Sequence, residues 1–247
     1  MPDVIDLPAS RFAALVAPAI DRAFIGAMHA ARDNGGHALV LAYGGRAAGT
    51  LIELRNPLAA GRTVGHEITD GPYRYQNPDE VMHSLQHSAE QGLLTRNRDG
   101  RFAATEHGSA FLNDLYAHHS AVLAERWEEG HSAQLKRLIP LTGRVMKAAG
   151  DTGGQGWAVF APPHEPAGST PGTILLNRLS TLRAHRADAH AAAWQEAGLT
   201  VGEILAMEPG PDRDAIEDDT NTRAGVPYES LTPDERLTLL ADLAALP

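Results

Sequence analysis

The chain is 247 residues long, carries a formal charge of −10 and is 43% hydrophobic with few aromatic residues. That composition suits a mainly helical protein with one large core or two small ones. The absence of cysteine excludes disulfides, thiolate metal sites and a cysteine nucleophile, and no uninterrupted apolar run of about 18 residues is present to span a bilayer.

The opening MPDVIDLPAS lacks the basic and apolar blocks of a signal peptide, so a cytoplasmic location and no membrane partner are expected. Ser10 is placed to cap a helix running to about Arg32, with Phe12, Leu15, Val16, Ile20, Phe24 and Met28 inward and Pro18 as a bend. Asn34-Gly35-Gly36 reads as a turn, residues 37–54 as a strand then a helix, and 62–69 as a short helix. From Pro78 the pattern sharpens. Asp79 and Glu80 suit a helix N-terminus, Val81, Leu85 and Ala89 recur on one face, and Gly92 ends the helix. Leu93–Arg96 and Arg101–Thr105 then flank Asn97-Arg98-Asp99-Gly100, a hairpin signal. Thr105 caps a following helix through Phe111, Leu112 and Leu115.

Helix, Gly-Leu-Leu, charged hairpin, Thr-x-x-Gly, helix: the stretch 78–108 resembles the recognition helix and wing of a winged helix-turn-helix domain of the MarR type. The resemblance implies a mainly α fold with a small β-hairpin wing, a winged helix-turn-helix domain followed by a C-terminal helical domain. Residues 62–69 would be the first helix of the motif and 71–75 the connection to the recognition helix. Helices over 109–129 and 132–149, the latter kinked at Pro140, would carry the contacts of a homodimer. Duplex DNA is the implied partner. His83, Ser84 and His87 on the outer face are able to bond base edges, and Arg96, Arg98 and Arg101 on the wing would meet phosphates. The recognition helix itself is acidic, with no Lys or Arg between Pro78 and Thr95.

Residues 150–172 hold six glycines and four prolines and read as a linker, interrupted by a strand-like Trp157–Phe160. They divide a winged-helix domain, 1–149, from an acidic helical domain, 173–247. In the latter, a helix runs from Thr173 to Ala197 and stops at Gly198; a short helical piece over 202–207, a loop over 208–214 and a helix over 215–223 follow. Thr232, Pro233 and Glu235 form a capping box for the last helix, with Leu237, Leu240 and Leu243 as its buried stripe. Residues 201–247 carry 11 acids against 3 arginines, so the first 200 residues account for only −2 of the charge. The acidity therefore does not exclude a nucleic-acid partner for the first domain.

No nucleophile elbow, phosphate loop or dinucleotide fingerprint appears, and no cofactor is expected. His83 and His87 are spaced i, i+4 but lack a third metal ligand. The sequence His185-Arg186-Ala187-Asp188-Ala189-His190 does not make one metal box, because no helical face holds all of its side chains. Leu175, Leu179, Leu182 and Ala193 form a stripe that contains Arg186, with His190 beside it; His185 and Asp188 point the other way. A buried guanidinium requires an acid or an anionic ligand, and Glu217, sharing a face with Asn221, is available. The H-R-x-D-x-H and I-E-x-x-T-[DN] motifs together resemble a group of actinobacterial winged-helix-related proteins of largely uncharacterised role. Two readings of these residues stay open: a buried Arg186–Glu217 ion pair that fixes the packing of the second domain, or a small-molecule site made by Arg186, His190, Glu217 and Asn221. Two functions remain open: a ligand-responsive DNA-binding regulator, or a winged-helix scaffold without DNA that binds or transforms a small metabolite.

Overall fold

A computed structural model describes residues 7–247 and is mainly helical with one two-stranded antiparallel sheet. Helix α1 (Ala9–Ala31) is unbroken at Pro18, and Ser10 does not cap it; Pro8 precedes it without a side-chain cap. Its buried ridge is Phe12, Val16 and Ile20 at i, i+4 spacing, filled in by Ala13, Ala23 and Ala27. Leu15, expected inward, is 49% exposed, because at 100° per residue it falls outside the arc that Phe12, Val16, Ile20 and Phe24 bury. The stretch Ala9–Ala42 is the only described segment long and apolar enough, by length and composition, to cross a membrane, and the ridge of α1 is spent in the protein core.

After a kink at Asn34-Gly35, where Gly35 adopts φ 114°, the chain is helical again: α2 (His37–Ala42), α3 (Arg46–Glu53) and α4 (Arg55–Ala59). The strand expected within 37–54 is absent; alanine-rich sequence with little β-branching favours the helix. Residues 62–69 also differ from expectation. Val64 pairs with Phe102 through both backbone bonds, 2.9 and 2.7 Å, and only Glu67–Asp70 (α5) is helical. Asn77 caps α6 (Pro78–Glu90) by accepting from the Asp79 amide. Val81 and Leu85 are buried in α6 as expected, joined by Ser88, whose hydroxyl donates to the Ala47 carbonyl at 2.9 Å. Strands β1 (Leu94–Arg96) and β2 (Phe102–Ala104) pair with Leu94 opposite Ala104, around the Asn97–Gly100 turn. Thr105 caps α7 (Glu106–Leu123) by accepting from the Gly108 amide at 3.0 Å. A Cβ at position 108 would fall 2.0 Å from the Leu93 carbonyl oxygen, which explains the glycine in Thr-x-x-Gly.

Helix α8 (Glu129–Ala149) runs on through Pro140, and Gly130 at φ 86° takes the bend instead. The Gly/Pro-rich residues 150–172 include a helical turn, α9 (Gln155–Phe160), where a strand was expected. Gly154 and Gly156 let the backbone approach the side chain of Asp188 closely there, and Val159 enters the neighbouring core. Helix α10 (Pro171–Glu196) begins two residues earlier than its pattern suggests, capped by Thr170 with Pro171 at its first position. Helix α11 (Val201–Ala206) follows, then α12 (Pro211–Gly225). The loop expected over 208–214 is already helical from Pro211, with Pro at the start and Asp212 and Asp214 in the first turn. Helix α13 (Pro233–Ala245) carries the capping box of Thr232 and Glu235. Its buried residues are Leu239, Asp242 and Leu243; Leu237 is 40% exposed.

The cores cut across the division drawn from sequence. Helix α1 packs with α8, α10 and α13 around Phe12, Trp127, Leu138, Leu179 and Leu243 in one cluster. Residues 47–115, joined by Val159, form the second around Leu51, Leu85, Phe102 and Phe111. A small third one joins Trp194, Ile204 and Ile216, with Tyr75 against it. The first and last parts of the chain therefore build one helical layer, and the helix–hairpin unit 46–115 sits between them in sequence.

His119, on α7, is 2% exposed, and burial pushes its imidazole down to about 3. Below pH about 6.5 the unfolded chain takes up a proton there that the folded chain refuses, so stability falls as pH falls through that window. Between pH 7 and 5 the wild-type protein is expected to lose about 1–2 kcal/mol more unfolding free energy than His119→Gln, measured by urea unfolding. Equal losses would contradict the assignment.

Candidate functional site

Helix α10 is embedded on nearly every side, and its two polar faces serve different ends. Asp188, expected to face outward, is buried with a side chain only 5% exposed. Its carboxylate forms an ion pair with Arg74, itself 9% exposed, and accepts from the amides of Gly154 at 3.0 Å, Gly156 at 2.9 Å and Trp157 at 2.7 Å. A Cβ on Gly156 would sit 2.9 Å from that carboxylate, so the Gly-Gly-Gln-Gly run is a wrapping for Asp188. Arg74 also donates to the Gly71 carbonyl at 2.8 Å. His185, likewise expected outward, is 4% exposed, shares a 2.8 Å hydrogen bond with the Thr152 hydroxyl and meets the Trp157 ring edge-on. Burial lowers its pKa, against a smaller upward pull from Asp188.

The other face brings the expected quartet together. Arg186 donates to Asn221 Oδ1 at 2.9 Å and to Glu217 Oε2 at 3.3 Å, and His190 Nε2 lies 3.9 Å from Glu217 Oε1. Neither member of the ion pair is deeply buried: the Arg186 side chain is 28% exposed and that of Glu217 46%. His190 Nδ1 lies 2.8 Å from the Tyr75 hydroxyl, which also accepts from the Trp194 indole at 3.1 Å. Indole nitrogen only donates, so the Tyr75 oxygen is its acceptor and the Tyr75 proton is left for His190 Nδ1. Assigned from these partners, the neutral imidazole carries its proton on Nε2, toward Glu217. Burial holds its pKa below the ordinary histidine value, more strongly than Glu217 raises it. Of these side chains, Tyr75, Arg186, His190 and Glu217 line a cavity of about 360 Å³ whose remaining wall includes Ile20, Val145, Leu182 and Tyr228.

The residues expected to meet DNA are spread over α6 and the hairpin. His83 and Arg98 are exposed, and His87 is half-buried. The Ser84 hydroxyl donates back to the Glu80 carbonyl at 2.9 Å. Arg96 lies over the Phe102 ring, 5.7 Å from its centroid, and donates weakly to Gly100 at 3.3 Å. Arg101 is different. Its guanidinium is held bidentately by Glu67, at 2.9 and 2.8 Å, and donates to the Thr63 hydroxyl and carbonyl, both at 2.7 Å. It ties α5 to the hairpin and is not the free wing cation that the sequence suggested.

Sequence reasoning missed Asp188, Arg74, Tyr75 and Trp194. The signal for Asp188 was the helix itself: apolar residues on every side of α10 point to all-round burial, so a polar residue on either face needs a partner. Nothing local marked Arg74-Tyr75 as more than a connection. No protein-family model, curated protein or solved structure matches this chain.

The two charged pairs on α10 are expected to behave differently on truncation. Asp188→Ala strands buried Arg74 and should lower the unfolding free energy by about 3–5 kcal/mol. Arg186→Ala removes a half-exposed pair and should cost about 1 kcal/mol or less. Denaturant unfolding followed by circular dichroism checks both; equal costs would show that Arg186 is as structural as Asp188.

Proposed function

We propose that the chain is a winged-helix protein of MarR-like type that senses a small molecule in the Arg186–Glu217 cavity and passes its occupancy to helix α6. The helix–hairpin unit supports the first half of this reading: α5, α6, β1, β2 and the Val64–Phe102 bridge follow the order of a helix-turn-helix with its wing. One observation carries the second half. Tyr75 lines the cavity and lies three residues before Pro78, the first residue of α6. A ligand that competes for His190 or Tyr75 therefore acts directly on the segment that positions α6. Arg74, adjacent to it, is fixed by Asp188, so the movement is confined to a short lever.

On this reading DNA meets α6 and the hairpin through His83, His87, Arg96 and Arg98. A second reading, a ligand-binding or catalytic scaffold with no DNA role, is favoured by the charge of that surface. Helix α6 presents Asp79, Glu80 and Glu90 and no Lys or Arg, and Arg101 is consumed by Glu67. Homodimerisation belongs to the first reading.

Fluorescence anisotropy against a library of genomic duplex fragments, run as a salt series, separates the two. Two available wing arginines give a log–log salt slope of about −2 per chain. Arg96→Ala with Arg98→Ala should flatten it nearly completely. Absence of binding at 50 mM salt on the order of the library's micromolar ceiling would leave the scaffold reading in place.

A further inference from the structure

We propose that the cavity takes a small molecule ending in a single carboxylate, with an apolar body laid against Ile20, Leu182 and Tyr228. This rests on the cavity being a ligand site, as argued above. The charges set the class. Arg183 at the cavity is matched by Asp21 at 2.5 Å, and Arg186 by Glu217 at 3.3 Å. Arg213, at the mouth, donates to the Met207 carbonyl at 2.8 Å, and no carboxylate pairs with it among the described residues. One positive charge is thus left over, which favours an anion, and a carboxylate is the anion that replaces the Glu217 carboxylate at Arg186 like for like. An amine would face two guanidinium groups.

Geometry supplies the contacts. The Nε2 proton of His190 and the guanidinium of Arg186 converge where Glu217 now sits, the former at 3.9 Å and the latter at 3.3 Å. Both separations are long for charge-assisted bonds, and the Glu217 side chain is 46% exposed. An incoming carboxylate can therefore replace it at Arg186 while Glu217 turns to solvent. Asn221 keeps the guanidinium oriented during the exchange, accepting at 2.9 Å. The apolar wall, with the 360 Å³ volume, fits a body of about a dozen non-hydrogen atoms, at the small end of ligand cavities.

The test uses the full chain and matched probes: 3-phenylpropionate and 4-phenylbutyrate, their primary amides, the corresponding amines, and 2-phenylethyl phosphate. Binding is read by calorimetry and by the Trp194 indole N–H resonance, which reports the Tyr75–His190 corner. The acids are expected to move that resonance and to bind at least tenfold more tightly than their amides. Arg186→Gln should weaken the acids about tenfold and leave the amides unchanged. Amides equal to acids, or amines or the phosphate ester binding more tightly, would overturn the carboxylate class while the cavity stands. Binding of no probe at 10 mM, or binding without a shift at Trp194, would overturn the cavity as the site.

Discussion

The structure depends on one buried carboxylate. Asp188 sits in the middle of the longest helix, and four groups from two distant parts of the chain converge on it: the Arg74 guanidinium and the amides of Gly154, Gly156 and Trp157. A carboxylate in a dry interior is tolerated only when each of its lone pairs is met and its charge is balanced. Satisfying Asp188 therefore forces residues 71–77 and 154–160 onto α10, and with them the start of α6. The glycine-rich stretch that composition marks as a linker is held in place by the acid it surrounds.

From that anchor, α10 divides its labour by angle. One side, with Asp188 held by Arg74 and His185 held by Thr152, serves cohesion between the helical layer and the helix–hairpin unit, while His185 also borders the cavity. The other side, with Arg186 and His190, opens on a cavity and keeps its ion pair half in solvent. The same six-residue motif thus contains a structural pair, His185 and Asp188, and a candidate binding pair, Arg186 and His190, interleaved in sequence and separated by angle around the helix. Tyr75 and Arg74 join the two faces: consecutive in sequence, one lines the cavity and the other completes the closed site.

Much of the local structure was legible from residues alone. The caps at Thr105 and Thr232, the Asn97–Gly100 turn and the core positions Val81 and Leu85 follow from short-range chemistry, and all are present. The pairing of Arg186 with Glu217 and Asn221 was also legible, because a cation in a leucine stripe demands a partner. What failed was burial that comes from far away in the chain. A helical wheel drawn for α10 assumes one wet face, whereas this helix has protein on both sides, so His185 and Asp188 were placed in solvent. The fate of Arg101 depends on Glu67, 34 residues away, and no periodicity reports it. The Trp157–Phe160 stretch looks like a strand by propensity, yet the Trp157 amide is needed at Asp188 beside those of Gly154 and Gly156, and a helical turn presents it.

The most direct measurement of this dependence is hydrogen exchange by mass spectrometry on Asp188→Asn, a variant that keeps the side-chain shape and removes the charge. If Asp188 holds the segments as described, peptides covering 71–91 and 154–160 lose protection together, while those covering 233–245 exchange as in the wild-type protein. Uniform loss across the chain, or unchanged protection at 71–91, would contradict it.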